Sequence, residues 1–248
     1  MKGRHIFAAI LAGGSGSRMG NADRPKQFLE IGNRPILIHT VEKFILHPDF
    51  EKIMILAPRA WMMHAQDLVR KYIPVQLQER ICVIEGGSSR NETIMHAIAF
   101  MEKLGALDED AILVTHDSVR PFVSRRIIEE NIQAALEYGA CDTVVPATDT
   151  IVESMDGKQI SQIPDRTRMY QGQTPQSFRA VRLRDLYESL TDEEKQILTD
   201  ACKILVMKGE EVRLVMGDMS NIKITFPEDL RMAEALYAGN EGKKVGTC

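Results

Sequence analysis

The stretch LAGGSGSRMGNADRPKQFLEIG, Leu11 to Gly32, sets five glycines, two arginines and one lysine directly behind the apolar run Ile6–Leu11. Glycines let successive backbone N–H groups converge on an anion, and Arg18 and Lys26 add full positive charges. The chemistry suited to that composition is the wrapping of a polyphosphate. Loop position alone leaves a solvated surface loop open as the alternative. Neither common glycine motif fits. A dinucleotide fingerprint would need glycine where Met19 stands, which disfavours a dehydrogenase, and no Gly-Lys-Ser/Thr follows as a P-loop requires.

A second cluster, THDSVRPF, runs from Thr115 to Phe122 behind another apolar run. A carboxylate such as Asp117 at a strand end can hold Mg²⁺, which keeps several waters and takes substrate phosphates as its other ligands. Pairing with Arg120, or capping of the next turn, is the competing role. His116 reads as a packed, hydrogen-bonding residue rather than a ligand. In the third cluster, EGGSSRNETI from Glu85 to Ile94, Gly86 and Gly87 allow close backbone approach, and Ser88 and Ser89 offer short polar groups. A nucleobase edge would suit such a loop, and so would a helix N-cap on either serine. Arg166, Arg168 and Lys223 lie near strand boundaries in DRTRMYQGQTPQSF and NIKITFPEDL. Singly they read as solvated charges; together with a polyphosphate loop they could bind a second anion.

The elements that would position these residues alternate along the chain. Strands are expected at Ile6–Leu11, Lys52–Ala57, Ile81–Glu85, Ala111–His116 and Thr143–Pro146. Between them, helical spacing appears over Pro35–His47, Ala60–Tyr72, Ser88–Leu104 and Ser124–Tyr138, the last ending at Gly139. That rhythm predicts an α/β fold, a doubly wound and mostly parallel sheet. Two short alternating runs around Asp156-Gly157 predict a projecting β-hairpin, an interaction arm or a plain surface excursion. Helices then return at Val181–Leu190 and Asp192–Lys208, strands at Glu211–Met216 and Asn221–Thr225, and a helix at Pro227–Ala238 before a loose tail.

The 248 residues carry a formal charge of -4, with 44% hydrophobic and 27% charged residues, so nothing draws the chain generally to nucleic acid or anionic lipid. Any phosphate must be held by a local cluster of cations. The four cysteines form no CxxC pair, which argues for reduced thiols and against structural zinc. No stretch has the length of a membrane span, and no cleavable leader is evident. A soluble cytoplasmic protein is expected.

In chain order, L-A-G-G-x-G-x-R-M with P-K-Q, then G-G-x-x-R, H-D-x-x-R-P, V-P-x-x-D-T, Q-T-P-Q and N-I-K-I-T resemble the sugar-phosphate cytidylyltransferases. Enzymes acting on 2-C-methyl-D-erythritol 4-phosphate and on ribitol 5-phosphate belong to that family. The likeness spans Ile6 to about Ala235 and implies a Rossmann-like nucleotidyltransferase sheet, one domain over residues 1–248 with a dimerisation arm at about 148–168. It implies CTP and an alditol phosphate as substrates, Mg²⁺ as cofactor, and a homodimer. By the same resemblance Leu11, Ala12, Gly13, Gly14, Gly16, Arg18 and Lys26 would hold the triphosphate. Gly86, Gly87, Ser88, Arg90, Thr93 and Ser118 would hold the rest of the nucleotide. Arg120, Thr150, Arg166 and Lys223 would bind the acceptor, Asp117 would be the metal ligand, and Arg18, Lys26 and Lys223 would be catalytic.

Some details are similar to the ribitol branch. The chain has His116-Asp-Ser-Val-Arg-Pro121 rather than H-D-A-A-R-P, and Thr199-Asp-Ala-Cys-Lys203 rather than T-D-[DE]-A-S. Ser220 stands where the erythritol enzymes usually carry aspartate. D-ribitol 5-phosphate is therefore the first acceptor expected and methylerythritol phosphate the second. The ribitol branch would imply a link to a ribitol-5-phosphate-forming reductase and to teichoic acid synthesis. A nucleotide-binding protein without catalysis is the remaining reading, disfavoured by the intact set Arg18, Lys26, Asp117 and Lys223.

Overall fold

Six consecutive apolar residues, Ile6–Leu11, form strand β1 and divide between two cores: Ala8 and Ile10 face one side, Phe7 and Ala9 the other. A strand buried on both faces requires such a run, because successive side chains point in opposite directions. The structure, a computed structural model, describes residues 4–14 and 24–245, with side chains up to residue 239. Gly16 and Arg18 lie outside the described residues.

A short ribbon, β2 (Glu30–Ile31) and β3 (Arg34–Pro35), turns through Gly32 and Asn33, both at positive φ. Gly32 is required there twice over, since a Cβ would also collide with the Tyr237 ring. The main sheet adds β4 (Lys52–Ala57), β5 (Ile81–Glu85), β6 (Ile112–Asp117), β7 (Ala140–Pro146), β8 (Tyr170–Arg179) and β9 (Arg213–Met216). Its order is β5-β4-β1-β6-β8-β7-β9, parallel except where β8 lies antiparallel between β6 and β7. Helices α1 (Ile36–Ile45) and α2 (Met62–Tyr72) cover one face together with α5 (Arg125–Tyr138). After α3 (Val75–Gln78), α4 (Arg90–Lys103) covers the other with α6 (Ala180–Glu188) and, beyond α7 (Asp192–Gln196), α8 (Ala201–Met207). The doubly wound α/β sheet is thus the observed architecture.

Four expectations are corrected. No strand is expected where β8 lies, because its polar residues and Pro175 do not have the pattern of an interior strand. The helix expected over Asp192–Lys208 breaks in two, with Asp200 capping α8 through the amide of Lys203 at 2.9 Å. Asn221–Thr225 is extended without joining a ladder; Ile222 and Ile224 instead pack into a third cluster with Ile31, Val119 and Ala233. The final helix, α9, runs over Pro227–Val245 rather than stopping at Ala238.

The segment around Asp156-Gly157 does project. A single antiparallel bridge joins Glu153 to Gln162, and the Asp156 carboxylate accepts the amides of Lys158 and Gln159 at 2.8 and 3.0 Å. Val152, Met155, Ile160 and Ile163 are exposed along it. Among the described residues no helix is long and apolar enough to cross a membrane.

Candidate active site

Parallel pairing puts Leu11 opposite Asp117 and Ala57 opposite Glu85, so the loops after β1, β5 and β6 leave the sheet at one edge. Ligands of open α/β sheets sit outside that edge, at the carboxyl ends of the strands. A cleft of about 280 Å³ opens there, lined by Leu11, Gly13, Gly14, Lys26, Gly87, Ser88, Arg90, Thr93, Asp117, Ser118 and Lys223, with Gln27, Ser89 and Val119. A larger hollow of about 660 Å³ lies between α1 and the start of α5, but none of the described candidate site residues line it.

The first wall is the glycine loop. Ser118 N–H donates to the Leu11 carbonyl at 3.1 Å, and Ala12 N–H donates to the Leu56 carbonyl at 2.8 Å. The Ala12 amide is therefore spent inside the sheet, which corrects its expected role as a phosphate donor. Gly13 and Gly14 have no acceptor for their amides among the described residues, and both face the cleft. Gln27, the last residue of P-K-Q and one with no expected role, donates from Nε2 to the Ala12 carbonyl at 2.6 Å. That bond anchors the 3₁₀ turn Lys26–Phe28 under the loop and keeps Lys26 largely buried at the cleft wall.

The second wall is the turn from β5 into α4. Ser89 is the N-cap, accepting from Glu92 N–H at 3.1 Å, which decides between the two serines. Ser88 is held by the Glu92 carboxylate through both its amide and its hydroxyl. Gly87 passes so close to Glu92 that a Cβ would lie 2.5 Å from the Glu92 side chain. Its amide donates to Thr93 Oγ1 at 3.0 Å, while the Gly86 amide donates to the Ala57 carbonyl at 2.9 Å. Thr93 thus shapes the turn as well as lining the cleft; Gly86 sits behind the lining.

Asp117 is the centre of charge. Its carboxylate is buried and accepts from Arg90 through Oδ1, from Lys223 Nζ at 3.0 Å and from Arg120 Nε at 3.4 Å through Oδ2. Burial alone would push its pKa up; the charges of Arg90, Lys223 and Arg120 outweigh that and hold the carboxyl well below the usual carboxylate range. Lys26, Arg90 and Lys223 line the cleft, while Arg120 is buried behind the lining against Asp117, so the cleft presents three cations, a focus for polyanions on a protein that is acidic as a whole. Among the described residues no three His, Cys, Asp or Glu side chains gather as a metal centre. One carboxylate already saturated by cations does not fit a resident metal. Toward an ion carried in on a phosphate ligand, Asp117 would offer a single protein oxygen.

Behind this rim Asp142 on β7 is shielded from solvent, and burial pushes its carboxyl up to about 6; Gln176 Nε2 donates to it at 3.1 Å, Asp200 raises it and Arg90 lowers it. The folded state therefore holds this proton more tightly than the unfolded chain. Stability falls as pH rises from the ordinary carboxylate value through 6, and the penalty is complete above that. Asp142→Asn should raise unfolding free energy at pH 8 by roughly 1–2 kcal/mol, allowing for partial exposure. The gain should vanish near pH 4. Urea unfolding at the two pH values measures it, and equal gains at both would refute the assignment.

Thr150 and Arg166 are not brought to the cleft of their own chain. Both are exposed on the projecting arm, where Arg166 Nη1 donates to the Thr148 carbonyl at 2.9 Å. Two residues without an assigned role prove central instead: Thr174 accepts the Asp117 amide at 3.1 Å, and the Asn221 carbonyl accepts from Arg120 Nη1 at 2.7 Å. Their only sequence signal was membership of Q-T-P-Q and N-I-K-I-T.

Known proteins extend this picture. The family model for IspD, 2-C-methyl-D-erythritol 4-phosphate cytidylyltransferase, matches residues 6–238. A solved 4-diphosphocytidyl-2C-methyl-D-erythritol synthase from Anaerococcus prevotii is 28% identical, with a TM-score of 0.75 over 95% of this chain and 97% of that one. The 2-C-methyl-D-erythritol 4-phosphate cytidylyltransferase of Francisella tularensis is 25% identical at a TM-score of 0.75, covering 93% and 99%. That of Thermus thermophilus is 26% identical at 0.67, covering 94% and 98%.

Proposed function

Because the chain belongs to the 2-C-methyl-D-erythritol 4-phosphate cytidylyltransferase family and is a nucleotidyltransferase, we propose that it moves a cytidylyl group from CTP to an acyclic polyol phosphate, releasing pyrophosphate. The observation that carries this reading is the cluster Arg90, Arg120 and Lys223 around Asp117, with Lys26 lining the same cleft, at the carboxyl edge of the sheet. The attacking group is a phosphate monoester whose second pKa is near ~6, so it is already largely a dianion at neutral pH. Its oxygen bonds to the α-phosphorus of CTP, the α–β bridging bond breaks, and that electron pair leaves with pyrophosphate. Neither a serine or cysteine nucleophile nor a general base is needed. The barrier is repulsion between two polyanions, and positioning with charge neutralisation lowers it.

In this reading the amides of Gly13 and Gly14, with Gly16, Arg18 and Lys26, hold the triphosphate. The turn Gly87–Thr93 and Ser118 receive the nucleoside, and Lys223 faces the acceptor phosphate, with Arg120 acting from behind the cleft lining through Asp117. Asp117 is the residue that would hold a Mg²⁺ carried in on CTP, and that ion would supply further neutralisation of the phosphates. A homodimer is part of the same proposal: the apolar, exposed arm would deliver Thr150 and Arg166 to a neighbouring subunit's cleft. So is a cytoplasmic location, consistent with the free thiols of Cys82, Cys141 and Cys202.

Different observations support two acceptors. The family match and the solved relatives support methylerythritol 4-phosphate, hence a place in isoprenoid synthesis. Ser118-Val119, Ala201-Cys202 and Ser220 support D-ribitol 5-phosphate, hence a ribitol-5-phosphate-forming reductase upstream and teichoic acid synthesis downstream. At Ser220 the hydroxyl and amide both donate to Asp218 at 3.0 Å, so the nearby carboxylate sits two residues earlier and is already engaged. A panel of ribitol 5-phosphate, methylerythritol 4-phosphate and glycerol 3-phosphate, with CTP and Mg²⁺ and pyrophosphate as readout, decides between them. One acceptor should exceed the others in kcat/KM by at least about tenfold, the discrimination of a site that pairs with its substrate's hydroxyls. Pyrophosphate release with none of the three would overturn the proposed reaction.

A further inference from the structure

A closed circuit of buried hydrogen bonds joins the end of β6 to the segment that carries Lys223. His116 Nε2 donates to the Arg120 carbonyl at 3.0 Å, and His116 Nδ1 accepts from the Thr174 hydroxyl at 3.0 Å. The Thr174 carbonyl accepts from Asn221 Nδ2 at 2.9 Å, and the Asn221 carbonyl accepts from Arg120 Nη1 at 2.7 Å. The circuit ends on the residue where it began, and all four members are buried. Donor directions are fixed by the network itself. The Arg120 carbonyl can only accept, so the proton of the neutral imidazole is on Nε2 and Nδ1 accepts the Thr174 hydroxyl proton, while Thr174 Oγ1 itself accepts the Asp117 amide at 3.1 Å. Burial lowers the His116 pKa to about 4, which keeps the ring neutral and that tautomer in place at neutral pH.

Asn221 stands two residues before Lys223. Its Nδ2 also donates to Gln173 Oε1 at 3.1 Å, and Gln173 Nε2 donates to the Asp218 carbonyl at 2.9 Å. On the far side of Lys223, Ile224 N–H donates to the Val119 carbonyl at 3.0 Å. The chain around Lys223 is therefore tied on both sides, and Thr174 joins the two segments, holding the Asp117 amide through its hydroxyl and Asn221 through its carbonyl. Nothing in the reaction itself needs Asn221 or His116, since neither lines the cleft.

We propose that Asn221 is a positioning residue for Lys223, setting its ammonium beside Asp117 by closing the circuit through Thr174, His116 and Arg120. This rests on the reading of Lys223 as a group that acts on the reacting phosphates. The test is a double-mutant cycle on the full-length protein, with the acceptor that the panel selects and with kcat, both KM values and melting temperature measured. Asn221→Ala should lower kcat roughly 10²-fold, as a 1 Å misplacement can, with the KM for CTP changed only a few-fold. In a Lys223→Ala background the same change should cost less than about threefold, because the group it positions is gone. Asn221→Asp keeps the shape but, ionised, cannot donate to Thr174; its deficit should be large at pH 8 and narrow toward pH 6. Should the alanine variant melt below the assay temperature, Asn221→Asp at pH 8 takes its place in the cycle. An equal loss in both backgrounds, or an Asn221→Asp profile parallel to that of the unchanged protein, would overturn the positioning role. Full kcat in Lys223→Ala alone would overturn the reading of Lys223 as well, and a cycle that starts from an impaired Lys223→Ala separates the two failures.

Discussion

Lys26→Ala should lower kcat for pyrophosphate release by roughly 10²–10³-fold, the loss seen when one preorganised donor to a developing oxyanion is removed. The side chain is largely buried in the cleft wall, and a Cβ at Gly14 would lie 3.8 Å from its Cε. A cation so placed is poorly screened by water, and its attraction to phosphate oxygens rises as the α–β bond breaks and charge moves onto pyrophosphate. The interaction strengthens between ground state and transition state, so kcat should fall far more than the KM for CTP rises. Lys26→Arg should recover little, since a guanidinium fork does not fit the space of a compact ammonium held over the turn at Gln27. Steady-state rates alongside melting curves give the result. Near-normal turnover in a folded Lys26→Ala would remove Lys26 from the reaction.

Lys26 also illustrates what was legible in the sequence. The strands Ile6–Leu11 and Lys52–Ala57 have the bounds that their composition predicts, because a strand buried on both faces leaves an uninterrupted apolar run; the half-buried edge strand Ile81–Glu85 also has the expected bounds, since its apolar residues end at Glu85 and the glycines that follow. The glycine loops could be read as strand-end turns for the converse reason, an abrupt change to flexible and charged residues. β8 could not be read. Its middle, Gln173–Gln176, is polar and contains proline, yet it is buried because Thr115 and Thr143 on the flanking strands donate their hydroxyls to the carbonyls of Gln176 and Pro175 at 3.0 and 2.6 Å. Those bonds span 61 and 32 residues, and no local pattern announces them.

The same distinction governs the site. Residues that line the cleft occupy loops whose composition marks them. The residues that fix the cleft's geometry do so across long sequence separations: Arg90 reaches Asp117 over 27 residues and Arg120 reaches Asn221 over 101. An aspartate read alone could be a metal ligand, a helix cap or a partner for Arg120, and the fold gives Asp117 three cations at once. Asn221–Thr225 looked like a strand because its apolar residues alternate, and the alternation is real. It buries Ile222 and Ile224 in the third cluster and leaves Lys223 to meet Asp117.

Asp117→Asn should unfold earlier than the unchanged protein yet gain more from pyrophosphate. In the folded protein Arg90, Arg120 and Lys223 are gathered round one buried carboxylate, and neutralising it leaves three like charges together. Breaking a buried pair costs about 3–5 kcal/mol; discounting the half-exposed Lys223, roughly 2–4 kcal/mol is expected here. For a chain of this size that is a fall in melting temperature of about 5–15 °C. Because the cage holds the carboxyl below the usual carboxylate range, its stabilisation is present above the unfolded pKa of about 3.9 and disappears only as pH falls through the lower folded value. The difference between the two proteins should therefore be constant from pH 6 to 9. Saturating pyrophosphate brings back the missing negative charge, so its stabilising shift should be larger in Asp117→Asn than in the unchanged chain. Turnover should still fall roughly 10²-fold, since cations freed from Asp117 no longer meet the phosphates in a fixed geometry. Calorimetry with and without pyrophosphate separates these effects. An equal pyrophosphate shift in both proteins would mean that the three cations do not face the polyanion, and the charge-neutralising cleft would lose its physical basis.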